Sequence, residues 1–115
     1  MTLSNLNGIP GSEDAVRDFV LSELEGLVDE VRVDAMGNVI AFRAGRDESG
    51  ETSGEQKPRE RVMLSAHMDE IGFLVRYIDE KGFLRVQAVG GFDPRNLFAR
   101  NVTVKTRGGA LPGRI

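Results

Sequence analysis

"RVMLSAHMDEIGFLVRYI", residues 61–78, is the stretch on which the fold turns. Its first six residues are mostly apolar with no alternation, the pattern of a short strand buried on both faces. That predicted strand ends at His67, the single histidine of the chain. Beyond it "IGFLVRYI" reads as a further strand, "DEKG" as a turn and "FLRVQAV" as an alternating return strand. The stretch is therefore a seam between an α/β-type segment and a β-rich one.

Upstream, "GIPGSEDAVRDFVLSELEGLVDE" opens with turn chemistry and changes to helical spacing. Ser12 suits an N-cap, and Glu13 and Asp14 put negative charge where the helix dipole favours it. Val16, Phe19, Val20, Leu24, Leu27 and Val28 fall on one apolar stripe, with Arg17, Asp18, Glu23 and Glu25 opposite. "EVRVDAMGNVIAFRA" alternates on either side of Met36-Gly37-Asn38, which predicts a hairpin. Residues 45–61 are rich in Gly, Ser and Glu and predict a mobile exposed loop. Downstream, "GGFDPRNLFAR" is a Gly/Pro-punctuated connection, "NVTVKT" a strand, and "RGGALPGRI" a turn with the start of another.

The bulk composition narrows the function. With 15 basic and 18 acidic residues in 115, the net charge is −3, and no Lys/Arg cluster offers a nucleic-acid footprint. The chain has no cysteine, which removes thiolate metal sites and cysteine nucleophiles. The opening "MTLSNLNGIPGSEDAV" lacks the basic and apolar regions of a signal peptide, and no apolar run nears the roughly 20 residues a membrane helix needs. A soluble, cytoplasmic protein with neither nucleic-acid nor membrane partners is expected.

His67 and Asp69 form a His-x-Asp pair at the carboxyl end of a strand, where α/β sheets bind ligands. A neutral imidazole suits zinc or cobalt, and a carboxylate two residues on can take the other ring N–H and fix the tautomer. Taken alone, so short a pair fits better a partly buried strand-end histidine held by a hydrogen bond. Glu70 has no assignable role. As a glycosidase pair, Asp69 and Glu70 fail, because that chemistry needs carboxyls roughly 5–9 Å apart across one bond and strand neighbours face opposite ways.

The wider context resembles the M42 family of metallo-aminopeptidases, the tetrahedral and glutamyl aminopeptidase group. The residues that carry the likeness are "AHMDEIG", then "VGGFDPR" about twenty residues on, with "NGIPGSEDAVRDFV" and "VDEVRVDAMGNVIA" upstream in matching order. The resemblance implies that His67 is a metal ligand and that Asp69 is the catalytic-site acid orienting it. It implies two divalent ions, Zn or Co, in the complete enzyme, a peptide substrate, and a homo-oligomer, the dodecamer of the family. It assigns residues 1–69 to the first part of an α/β catalytic domain and 70–115 to the opening of a β-barrel-like inserted domain for oligomer contacts. Gly90, Gly91, Asp93 and Pro94 then fall in the family's structural turn, the glycines allowing unusual backbone angles.

The family's bridging aspartate, other ligands, second histidine and glutamate base are expected after Ile115. The expectation is thus an amino-terminal segment of an aminopeptidase, inactive alone. The competing expectation is a non-catalytic β-rich self-association module.

Overall fold

The structure, a computed structural model, describes residues 3–45 and 61–115. The sequence-based loop at 45–61 lies, apart from its ends, outside the described residues. The architecture is a small α/β one, with a single α-helix and three two-stranded antiparallel sheets among the described residues. The chain divides into two compact units, Met1–Glu70 and Ile71–Ile115.

In the first unit a 3₁₀ turn at Leu3–Asn5 leads to helix α1, Asp14–Leu24, and to strands β1 (Glu30–Val33) and β2 (Val39–Phe42). Ser12 is not the N-cap. Gly11 at φ +82° bends the chain and the Ser12 N–H closes a turn on the Ile9 carbonyl at 2.8 Å, so Glu13 takes the N-cap position. No side chain caps there; Glu13 Oε1 instead accepts from Gly11 N at 2.7 Å. The helix also stops sooner than the apolar stripe does. Glu25 turns extended and Gly26 follows at φ +73°, which leaves Leu27 and Val28 beyond the helix, Leu27 exposed. Val16 is the one buried apolar side chain among the described residues, with Phe19, Val20 and Leu24 half-buried beside it.

The β1–β2 hairpin forms as its alternation predicts, with Val31 opposite Ala41 and Val33 opposite Val39. Its turn is built on Asp34. The Asp34 N–H donates to the Asn38 carbonyl at 3.1 Å, Gly37 N–H to the Asp34 carbonyl at 3.0 Å, and Oδ1 accepts from the N–H groups of Met36 and Asn38 at 2.9 Å each. Gly37, at φ +86°, takes the left-handed position that closes a three-residue hairpin loop.

The second unit repeats this device. Strands β3 (Gly72–Ile78) and β4 (Leu84–Val89) pair with an irregularity between Val75 and Tyr77. Asp79 N–H donates to the Phe83 carbonyl, Gly82 N–H to the Asp79 carbonyl, and Oδ1 accepts from Lys81 and Phe83 N–H. Strands β5 (Asn101–Thr106) and β6 (Gly109–Arg114) make the last hairpin. In the connection, Asp93 caps a 3₁₀ turn at Pro94–Asn96 by accepting from Arg95 N–H at 3.0 Å, and Phe73 meets Phe92 edge to face at 5.2 Å. Gly90 needs its freedom twice over: φ is +91°, and a Cβ would lie 2.7 Å from Ile71 Cγ2. Gly91 does not share the expected unusual angle, and open space surrounds it.

One prediction fails outright. Residues 61–66 form no strand, and Val62, Met63 and Leu64 are 83%, 87% and 92% exposed. A strand exists through hydrogen bonds to neighbours, and none of the described strands pairs with this segment. Its apolar side chains, expected buried on both faces, are exposed instead.

Candidate functional site

His67 follows this unpaired segment, and its side chain is 85% exposed. The ring's Nδ1 lies 2.8 Å from the Asp69 backbone carbonyl and 3.2 Å from Asp69 Oδ1. Both partners only accept, so Nδ1 carries the hydrogen and donates to them. In the neutral ring, Nε2 is then left with its lone pair and no proton. The expected partnership of His67 and Asp69 is thus present as a hydrogen bond, with the main chain of Asp69 sharing it.

Glu70, to which sequence reasoning gave no role, is tied to the far end of its unit. Its N–H donates to the Gly8 carbonyl at 2.7 Å, and its Oε1 accepts from Gly8 N–H at 3.3 Å. Gly8 is buried, and a Cβ on it would stand 2.7 Å from Val16 Cγ2 and 3.2 Å from the Met68 carbonyl. Gly8 of the "NGIPG" turn therefore lies close to both residues that flank Asp69 and to the one buried side chain of the helix. Its only sequence signal is a Gly/Pro turn ahead of a helix, too common to point to a partner 62 residues away.

Asp69 faces His67 and Glu70 faces Gly8. Both acids are committed, and neither is left to oppose the other across a substrate bond. Among the described residues no cluster of three or more His, Cys, Asp or Glu could hold a metal ion. No described helix is long and apolar enough to cross a membrane.

The family profile of the M42 glutamyl aminopeptidases matches residues 49–115. The chain belongs to the M42 family. A lysyl aminopeptidase from Pyrococcus furiosus is 38% identical over 107 residues, covering 92% of this chain and 28% of the relative. Among solved structures, the Pyrococcus horikoshii TET1 peptidase, which assembles into a tetrahedron or a large octahedral shell, superposes with a TM-score of 0.75 at 38% identity. The match covers 96% of this chain and 30% of that one. A Thermotoga maritima structure named endoglucanase is 44% identical, with a TM-score of 0.73, over 90% of this chain and 30% of the other. This M42 chain thus spans under a third of the length of these relatives.

Proposed function

We propose that this chain supplies the amino-terminal part of a metal-dependent aminopeptidase, with His67 as a ligand through Nε2 and Asp69 as the acid that sets its tautomer. The observation that carries the reading is the pair of acceptors on Nδ1, which leaves the other ring nitrogen unprotonated in the neutral ring and the side chain open to solvent. An imidazole in this state fits zinc or cobalt, two ions in the complete site. The chemistry such ions would supply is polarisation of a peptide carbonyl and activation of water at neutral pH. Asp69 would contribute orientation and ligand basicity, and the peptide substrate would present its amino terminus to that site.

One imidazole is too few donors, since zinc sites use at least three protein ligands. The reading therefore places the other ligands and the general base outside these 115 residues, and the chain alone is inactive. It assigns residues 1–69 to the catalytic domain and 70–115 to the start of an inserted domain for homo-oligomer contacts. The support for the latter is apolar surface on the β3–β4 and β5–β6 hairpins, with Val75, Tyr77, Ile78 and Leu111 all exposed. Isolated hairpins are marginal and gain stability from a covering surface. A glycosidase reading, prompted by the name of the Thermotoga relative, conflicts with the engagement of Asp69 and Glu70.

The test is a zinc titration and an aminopeptidase assay on the polypeptide as its gene encodes it, wild type against His67→Ala and Asp69→Ala. The reading expects Asp69→Ala to weaken metal binding about 10- to 100-fold, and His67→Ala to cost more and abolish hydrolysis. Unchanged metal affinity and turnover in His67→Ala would overturn the role given to His67, whereas no metal binding and no turnover in the wild type, with self-association unaffected by His67→Ala, would leave the non-catalytic module.

A further inference from the structure

Resting on that reading of His67, we propose that Glu70 and Gly8 form a positioning clamp for the metal-ligand pair. Glu70 is the residue after Asp69, so its backbone fixes where the Asp69 carbonyl and carboxylate begin. Two hydrogen bonds run between Glu70 and Gly8, one main chain to main chain and one from main chain to side chain, in opposite directions. Together they close a ring that leaves residue 70 little freedom to rotate.

Gly8 adds a steric condition. A Cβ there would stand 2.7 Å from Val16 Cγ2 and 3.2 Å from the Met68 carbonyl oxygen, so Gly8 lies close against residue 68 as well as residue 70. Asp69 lies between these two neighbours, and both of its contacts to His67 Nδ1 depend on the restraint at residue 70. The turn carrying Gly8 is itself braced, by Ser12 N–H on the Ile9 carbonyl and by Gly11 N–H on Glu13 Oε1. A segment outside any strand ladder is thereby given a fixed geometry through the turn ahead of helix α1.

Glu70 is a positioning residue here: it reaches the metal site only through Asp69 and His67. Its carboxylate acts as an acceptor for an N–H and not as a charge. An amide oxygen can do the same, which separates this role from a direct one.

The experiment compares Glu70→Ala, Glu70→Gln and Gly8→Ala with wild type and His67→Ala, all in the polypeptide as its gene encodes it. Zinc affinity is read by competition with a chromophoric chelator, and kcat and KM on an amino-acyl anilide. The clamp predicts about 10-fold weaker zinc binding in Glu70→Ala, with a matching fall in kcat and KM changed less than about twofold. Glu70→Gln should restore both to within about threefold of wild type, and Gly8→Ala should resemble Glu70→Ala. Should Glu70→Ala not fold, Glu70→Gln and Gly8→Ala decide. Wild-type zinc affinity in Glu70→Ala or Gly8→Ala overturns the clamp. So does a Glu70→Gln enzyme that keeps its metal and loses its turnover, which would put the charge in contact with the reacting groups. Undiminished zinc binding in His67→Ala removes the reading beneath the clamp, whereas loss there with no effect at Glu70 or Gly8 removes the clamp alone.

Discussion

The two Asp-x-x-Gly turns, at 34–38 and 79–83, and the apolar segment at 61–66 were equally prominent in the sequence, yet only the turns form. In each turn the aspartate binds backbone N–H groups two and four residues on, and a left-handed glycine completes the loop. Every partner lies within six residues. Residues 61–66 have side chains fit for a core, but a strand's hydrogen bonds must come from other strands. The turns, closed by local partners, form in this chain, and the one predicted strand whose ladder must come from elsewhere does not.

The largest effect should come from supplying those partners. With this chain joined to the remaining part of an M42 relative, the amides of Val62–Ala66 should exchange at least about 100-fold more slowly than in the 115-residue chain, an opening cost of ~2.7 kcal/mol. Equal exchange in both would mean that this segment is no strand in any context. A smaller effect should mark the turns. Gly37→Ala and Gly82→Ala each force a left-handed residue to carry a Cβ and should destabilise their hairpin by about 1 kcal/mol. Gly91→Ala, with open space and no positive φ, should change thermal unfolding little.

Acid should have the mildest effect. The Asn38 side-chain amide, then the Asn38 N–H, hold the Asp34 carboxyl below the usual range, and the Phe83 N–H and Arg85 guanidinium do so for Asp79. Both folded-state values are depressed, so their contribution is present above the unfolded value and is lost as pH falls through the folded one. Hairpin amide shifts should stay constant from about pH 5 to 8 and move below about pH 4. Movement confined to higher pH would contradict these turns.

The same contrast separates what the sequence made legible from what it did not. The helix, the three hairpins and the Asp93-Pro94 turn could be read because periodicity and turn chemistry act over a few residues. The helix end was misplaced because the apolar stripe continues past Gly26, and one glycine at φ +73° outweighs it. His67 and Asp69 are two apart, so their hydrogen bond could be expected. Glu70 and Gly8 are 62 apart, joined by one main-chain bond and one from the Gly8 N–H to the Glu70 carboxylate, and no local pattern announces such a pair.

The central claim is that Asp69 holds the proton of His67 on Nδ1 and leaves Nε2 bare. Because this chain has one histidine, a long-range ¹H–¹⁵N correlation spectrum of the metal-free 115-residue protein at neutral pH reports that ring alone. The account predicts the Nδ1–H tautomer, shifting toward the other on Asp69→Ala. A ring protonated on Nε2, or one whose shifts ignore Asp69, would contradict it.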